Sequence, residues 1–184
     1  MTSKDAINKL LELGFTTVLD IGAGGDHSNI FKLNGKIVTT NNLDDADFVG
    51  DYLSLDMGKF DCVWASHVLE HHPNPGLFLT KCFKDLNDKG ILAITVPPLK
   101  HEIVGGHVNL YNAGLLLYQL IHAGFDCSEA KVKTYDYNIS VIVRKKSFIM
   151  PALGYDFGDI ELLKDFFPFD VVHGFDGRIS EVNW

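Results

Sequence analysis

Imidazole side chains are concentrated in two short stretches of the sequence, where they could do acid–base chemistry. The stretches are SHVLEHHPNP (66–75) and PPLKHEIVGGHVNLY (97–111). They hold five of the eight histidines, which are His67, His71, His72, His101 and His107. A neutral imidazole accepts a proton near physiological pH, so both stretches are candidates for a general base that acts on a hydroxyl group.

His107 is the favoured base, because it lies between a glycine pair and the predicted start of a helix. The alternative is that His107 only orders its loop by hydrogen bonding. For His67, a catalytic or cofactor contact competes with simple packing, and His71 or His72 is expected to orient the following loop. No metal site is expected from His71, His101 and His107, because their spacing matches no compact zinc motif and no acidic partner is obvious.

A glycine-rich turn, VLDIGAGGD (18–26), directly follows an apolar strand. Gly22, Ala23 and Gly24 form this turn, where glycine lets a ligand lie against the main chain. Asp20 precedes the turn inside the strand, and its carboxylate is expected to face a positively charged group on the ligand. A pyrophosphate carries no such group, so a nucleoside that bears an amino acid fits better than a dinucleotide.

The next strand ends where such sites usually place an acidic residue against the ribose hydroxyls. In IVTTNNLDD (37–45) that place is held by Asn41, followed by Asn42. Either the amide replaces the carboxylate, or Asp44 or Asp45 folds back to supply the charge, or no nucleoside binds. We predict the first, with Asn41→Asp tightening binding roughly five- to tenfold because a carboxylate is the stronger acceptor.

Apolar runs alternate with helical patterns along the chain, which predicts an α/β fold with a Rossmann-like, mostly parallel sheet and helices on both faces. The predicted parallel strands are residues 16–21, 36–40, 60–66 and 90–96, with a short strand expected within 47–50. The predicted helices are residues 6–15, 75–90 and 112–124. Alternating polarity in 127–135 and 138–146 predicts an antiparallel C-terminal hairpin at one edge of the sheet.

Length and composition favour a single domain with an aromatic-rich extension. The chain has 184 residues, of which 46% are hydrophobic. Residues 1–146 are expected to form the main domain, and residues 147–184 to extend it as a lid or an interface, with a homodimer through this extension left open. A net charge of −8 without a basic run argues against nucleic acids and membranes as partners. Three scattered cysteines and the lack of a signal-peptide pattern favour the cytoplasm.

Several motifs occur in the order found in class I S-adenosylmethionine-dependent methyltransferases, and together they resemble that family from about residue 16 to residue 145. VLDIGAGGD is similar to the first motif of the family, although Asp26 replaces a frequent third glycine. FDCVWASHVLEHHPNP (60–75) is similar to the fourth-strand motif, and LNDKGILAITVPP (86–98) to the fifth strand.

The resemblance implies roles for individual residues around S-adenosylmethionine. FVGDYLSLD (48–56) resembles the segment in which an acidic residue contacts the adenine amino group, which implies that role for Asp51 with Tyr52 beside the ring. Ser66 and His67 would lie near the methionine part of the cofactor.

The family resemblance also implies an enzyme that transfers a methyl group to an oxygen or nitrogen of a small molecule, with a sugar or related metabolite weakly favoured. Two other classes stay open. One is a catalytically silent S-adenosylmethionine-binding module that acts through a partner protein, which turnover against a metabolite panel would exclude. The other is a nicotinamide-dependent oxidoreductase, which would leave Asp20 without a role and which comparative binding of NAD would identify.

Overall fold

Continuous apolar runs become the buried strands of one sheet, as the sequence predicts. The computed structural model describes residues 3–184, and in chain order its strands are β1 (Thr17–Ile21), β2 (Ile37–Asn42), β3 (Phe48–Val49), β4 (Phe60–Ser66), β5 (Leu86–Val96), β6 (Lys131–Tyr135), β7 (Asn138–Arg144) and β8 (Glu181–Val182). The spatial order is β3-β2-β1-β4-β5-β7-β6-β8. Strands β1 to β5 pair in parallel, and β7, β6 and β8 add antiparallel pairs at one side. This arrangement confirms the predicted α/β fold class.

Helices cover both faces of the sheet and create two apolar cores. The helices are α1 (Lys4–Leu11), α2 (His27–Leu33), α3 (Pro75–Asp85), α4 (Ala113–His122) and α5 (Asp159–Leu163), and short 3-10 turns lie at Tyr52–Ser54, Leu69–His71 and Lys164–Phe166. Side chains from α1 and α2 pack on one face, where Trp64 of β4 is fully buried. Side chains from α3 and α4 pack on the opposite face. Successive strand residues point to opposite faces, so neighbours in sequence enter different cores.

The predicted boundary between α3 and β5 is wrong by five residues. The sequence predicts a helix through residue 90 that ends at a glycine, whereas α3 ends at Asp85 and Leu86 already pairs with Phe60 of β4. Asp85 is held by the Tyr52 hydroxyl at 2.9 Å and by Lys81 at 2.8 Å. Burial of Leu86 against the α3 side of the sheet therefore decides the boundary, and Gly90 lies inside the irregular start of β5.

The C-terminal extension packs into the core beside α4. Leu163, Phe167 and Val171 are buried in the α3/α4 core. β8 extends the sheet by pairing with β6, which the sequence does not predict. Ile149 remains largely exposed, and the predicted homodimer contact stays a prediction. Among the helices of residues 3–184, none has the length and apolar character needed to cross a bilayer.

Candidate functional site

A cavity of about 630 Å³ opens at the carboxyl ends of β1, β2 and β4. Open parallel sheets bind ligands at this edge, and the volume suits a nucleoside-sized molecule. Its lining comes from residues 21–22, 41–43, 50–53, 67–68 and 71–74. A second cavity of about 660 Å³ lies near Trp184 and Lys131, far from every predicted site residue, and it carries no predicted chemistry.

Half of the predicted site residues line the 630 Å³ cavity. They are Gly22, Asn41, Asp51, Tyr52 and His67. The others, which do not line it, are Asp20, Ala23, Gly24, Ser66 and His107. The sequence therefore places half of its predicted site residues at this cavity, but it does not separate the residues that face the cavity from their neighbours.

The glycine turn is held tightly against the end of β2. Gly22 has a φ of +71°, which favours glycine, and a side chain at this position would collide with Val68. The amides of Gly22 and Ala23 donate to the Asn41 carbonyl at 2.8 and 3.1 Å. Gly24 is exposed, and a Cβ atom there would meet nothing closer than the Asn42 amide at 3.8 Å. The turn thus leaves open space above Gly24 without strain.

Asp20 and Ser66 face away from the cavity, toward the α1/α2 side of the sheet. Asp20 is buried, and its carboxylate accepts a hydrogen bond from Ser28 at the start of α2. Burial raises the pKa of Asp20, and the Ser28 bond offsets only part of that effect. The Ser66 hydroxyl lies 2.7 Å from that of Ser3. Any effect of either side chain on a ligand in the cavity is therefore indirect, which differs from the expected direct contact of Asp20.

Asn41 lies on the same face of the sheet as its strand neighbour Ile21, and it is almost completely buried. Its amide nitrogen donates to the carbonyls of Phe48 and Gly50, both at 3.0 Å. Both donors of the amide are thus used to hold the segment after β3. Within residues 3–184 no donor is bonded to its Oδ1, so this oxygen is the free acceptor that the side chain offers at the cavity wall.

Asn42 is bonded to the glycine turn, and the acidic residues that follow it bring no carboxylate to the cavity. The Asn42 amide nitrogen donates to the Ala23 carbonyl at 2.8 Å, and its oxygen accepts from the Leu43 amide at 2.8 Å. Asp44 and Asp45 are exposed and do not line the cavity. The sequence misses the role of Asn42, which ties β2 to the glycine turn.

Asp51 and Tyr52 support the cavity floor in different ways. Asp51 is exposed, lines the cavity and accepts from the Leu53 amide at 3.1 Å, so its second oxygen is available to a ligand. Tyr52 is buried against Phe78, and its hydroxyl donates to Asp85. The Tyr52 ring is therefore fixed in the core below the cavity.

His67 occupies a strained position at the end of β4, with a φ of +56°. Its Nε2 lies 3.0 Å from the Asn138 side-chain oxygen, and its Nδ1 lies 3.3 Å from Oε1 of Glu70. Burial lowers the pKa of His67, but the contacts with Glu70 and Asn138 outweigh burial and hold the pKa above its usual value. Because Nε2 is hydrogen-bonded to Asn138 and Nδ1 faces Glu70 at an ion-pair distance, His67 is poorly placed to accept a proton from a substrate.

His71 and His107 come together across a long separation in sequence. Their rings meet edge to face with centroids 4.8 Å apart. Glu70 lies beside them, fully buried, and no hydrogen bond reaches either carboxylate oxygen within the described residues. His101 is exposed and does not join this cluster. Glu70 is therefore the acidic partner of the two histidines. The spacing of the histidines does not reveal it, and the available signal was its position directly after the apolar pair Val68 and Leu69.

Comparison with known families gives a match over the strand-rich part of the chain. Residues 19–94, from β1 into β5, match a family model described as a methyltransferase domain. A comparison with curated proteins gave no match.

Solved structures share the fold at low sequence identity. A methyltransferase from Archaeoglobus fulgidus, described as dependent on S-adenosylmethionine, has a TM-score of 0.63 at 17% identity over 78% of this chain and 95% of that chain. The 1,6-didemethyltoxoflavin N1-methyltransferase of Burkholderia thailandensis, solved with its acceptor and S-adenosylhomocysteine, has a TM-score of 0.66 at 21% identity over 78% of each chain. The N-terminal domain of EvdMO1, solved in the presence of S-adenosylhomocysteine and D-fucose, has a TM-score of 0.58 at 16% identity over 79% of this chain and 85% of that chain. At these identities the likeness shows the fold alone.

Proposed function

We propose that the chain is a class I S-adenosylmethionine-dependent methyltransferase, in line with the methyltransferase-domain match over residues 19–94, and that it transfers a methyl group to an oxygen or nitrogen of a small-molecule acceptor, with a sugar or related metabolite favoured. The observation that carries this proposal is the 630 Å³ cavity, whose wall combines the glycine turn, Asn41, Asp51 and His67. S-adenosylmethionine supplies an electrophilic methyl group on a sulfonium centre when it is bound. The chain's own residues bind it and orient an acceptor beside it.

The residues present fit an amino-acid-bearing nucleoside. Asn41 offers a free side-chain oxygen for a ribose hydroxyl, and Asp51 offers a carboxylate oxygen for an amino group. Gly24 leaves the main chain accessible. An adenosine with a short cationic chain needs donors and acceptors of this kind. A pyrophosphate would instead meet the acidic Asp51, and histidine is the only basic residue type in the lining, which consists of residues 21–22, 41–43, 50–53, 67–68 and 71–74.

A small acceptor is supported by charge and by a protein of similar fold. The net charge of −8 without a basic run disfavours nucleic acids as substrates. The D-fucose recorded with EvdMO1 supports a sugar-like acceptor here, as an inference from a shared fold. The catalytically silent module remains the second candidate, because Asp51 and Asn41 serve binding equally well in a protein without turnover.

Binding of the cofactor tests the site directly. Calorimetry should give micromolar affinity for S-adenosylmethionine, on the order of −8 kcal/mol. Asp51→Ala should weaken it roughly 10- to 100-fold, because a hydrogen bond to a charged group is lost. Asp56→Ala is the matched control, since Asp56 also accepts one nearby amide, that of Gly58 at 3.2 Å, but does not line the cavity.

Two outcomes would contradict the proposal. Unchanged affinity in Asp51→Ala would remove Asp51 from the site, and tighter binding of NAD than of S-adenosylmethionine would indicate the oxidoreductase class. Turnover with a panel of sugars and small hydroxylated or aminated metabolites, followed by mass spectrometry for a gain of one methyl group, separates the enzyme from the silent module.

A further inference from the structure

Glu70 is a buried carboxylate without a hydrogen-bond partner. It is fully buried, and neither of its side-chain oxygens accepts a hydrogen bond within residues 3–184. A buried carboxylate that accepts no hydrogen bond is costly, so it requires a positively charged partner or a proton. The 3.3 Å separation from Nδ1 of His67 is an ion-pair distance and meets this need only in part.

His71 is oriented as a ligand beside Glu70. Its Nδ1 lies 2.8 Å from the Gly106 carbonyl, which can only accept a hydrogen bond, so Nδ1 carries the proton. The lone pair of the neutral ring is then on Nε2, which lies 3.9 Å from Oε1 of Glu70. A backbone carbonyl that fixes the tautomer in this way is typical of metal-binding histidines.

His107 is brought to the same point by the loop after β5. The amides of Val108 and Asn109 donate to the Glu70 carbonyl at 2.9 and 3.2 Å, and the Asn109 side chain donates to the His72 carbonyl at 2.6 Å. These bonds fasten the loop to the 3-10 turn that holds Glu70. No hydrogen bond engages the ring nitrogens of His107 within the described chain, which leaves them free to bind an ion.

The geometry points to a divalent-metal site formed by Glu70, His71 and His107. One donor atom from each residue lies within 4.8 Å of the other two. Two ligands of one tetrahedral ion at ~2.1 Å lie about 3.4 Å apart, so donor atoms that now lie up to 4.8 Å apart must move closer together when an ion binds. Two imidazoles and one carboxylate suit Zn²⁺, Co²⁺, Fe²⁺ or Mn²⁺ better than Mg²⁺ or Ca²⁺, and three protein ligands leave positions open.

An open coordination position would act on the methyl acceptor. His71 lines the cavity, so an ion held by it lies at the cavity wall. A hydroxyl group of the acceptor that binds this ion ionises closer to neutral pH: the O–H bond breaks, the electron pair stays on oxygen, and the proton passes to water. This role, which rests on the proposed function, favours an oxygen acceptor over nitrogen. It also changes the role of His107 from general base to metal ligand.

The competing explanation needs no metal. Glu70 could share a proton with His67 and His71 and merely order the loop after β5. The two explanations differ in a direct observable, since only the metal site gives a cobalt spectrum that depends on His107.

Titration of the tag-free, EDTA-treated protein with Co²⁺ tests the site without any cofactor or acceptor. We expect a stoichiometric visible absorption band from Co²⁺ bound by imidazole and carboxylate, displaced by Zn²⁺. His71→Ala, His107→Ala and Glu70→Gln should each weaken binding at least 100-fold, because loss of a ligand exceeds the 10- to 100-fold effect of losing a supporting group. His101→Ala, from the same loop, should bind like the wild type.

Absence of a band in the wild type overturns the site, as does a band that survives in all three ligand variants. Glu70→Gln has the highest risk of misfolding, so the two histidine variants decide the outcome if it fails to fold. Calorimetry of S-adenosylmethionine on the same metal-free protein keeps the two proposals separate. Cofactor binding without a cobalt band refutes only the metal site, and a cobalt band without cofactor binding refutes only the proposed function.

Discussion

Asn41 shows how one side chain can hold a loop and a ligand at once. Its two N–H groups donate to the carbonyls of Phe48 and Gly50, and its oxygen remains at the cavity wall. A carboxylate at this position would replace the amide nitrogen with an anionic oxygen at the point where two carbonyl oxygens already converge. An amide is therefore required by the protein itself, and the absence of the usual acidic residue does not argue against a nucleoside.

This geometry reverses the effect expected for Asn41→Asp from the sequence. We predict that the variant binds S-adenosylmethionine roughly tenfold more weakly and loses about 1–3 kcal/mol of stability, because two buried hydrogen bonds become repulsive contacts. Calorimetry and urea unfolding measure the two effects. Asn34→Asp is the control, since the Asn34 amide also donates to a backbone carbonyl, that of Ile30 at 2.9 Å, but is exposed and remote. Tighter binding in Asn41→Asp would restore the original expectation.

The sequence could place single residues at this edge of the sheet, but it could not determine which face of the sheet each side chain would occupy. Asp20 and Asn41 both lie at strand ends next to the glycine turn, yet only Asn41 faces the cavity. Sequence alone does not state on which side α2 will pack, and Ser28 of that helix captures Asp20. The Glu70 cluster was harder to predict, because the loop that brings His107 to it is fastened by main-chain bonds that leave no pattern in the sequence.

At the scale of elements, Asp61 fastens the starts of β1, β4 and β5 together. Its carboxylate accepts from the amides of Thr16 and Thr17 at 3.1 and 3.0 Å and from the Asn87 side chain at 2.9 Å. These bonds, led by the one from Thr17, hold the pKa of Asp61 below its usual value. A lowered pKa in the folded state stabilises the fold above the unfolded value, and this stabilisation is lost as the pH falls through the folded value.

We predict that Asp61→Asn lowers the free energy of unfolding by about 1 kcal/mol at pH 7, since the carboxylate is partly exposed and solvent screens its bonds. The difference from the wild type should begin to shrink below about pH 4, where the carboxylate of the unfolded wild-type chain becomes protonated, and should shrink further as the pH falls through the lowered pKa of folded Asp61. Urea unfolding at several pH values measures this change. Asp88→Asn, which alters an exposed carboxylate next to Asn87 in the sequence, should show no such dependence. A deficit for Asp61→Asn that is constant with pH would mean that charge plays no part.

The elements themselves were largely predictable because buried parallel strands require continuous apolar runs. β1, β4 and the second half of β5 coincide with such runs, and Gly124 ends the turn after α4 as expected. The start of β5 was not predictable, because Leu86 continues a helical pattern in the sequence. It joins the strand only through its long-range pairing with Phe60. β8 has two residues and exists only through its pairing with β6. Local patterns cannot reveal contacts of that kind.

At the scale of the whole molecule, the C-terminal extension completes the core and contributes nothing to the 630 Å³ cavity. Phe167 and Leu163 are buried against the α4 side, and no residue of 147–184 lines the 630 Å³ cavity. The amide of Gly114 in α4 donates to the Gly177 carbonyl at 3.0 Å. The extension can therefore approach α4 this closely only because both segments have a glycine at the contact.

Gly177→Val tests whether the extension is a core element or a lid over the cofactor. The added side chain would collide with Asn112, whose oxygen accepts from the Leu115 amide at 2.8 Å at the start of α4. We predict a loss of about 1–3 kcal/mol in the free energy of unfolding, as for overpacking of a close contact, with little change in affinity for S-adenosylmethionine. Gly14→Val should leave stability nearly unchanged, because nothing lies within 4 Å of its Cβ position. Urea unfolding and calorimetry measure the two quantities, and a variant that stays stable but loses cofactor affinity would show that residues 147–184 act as a lid.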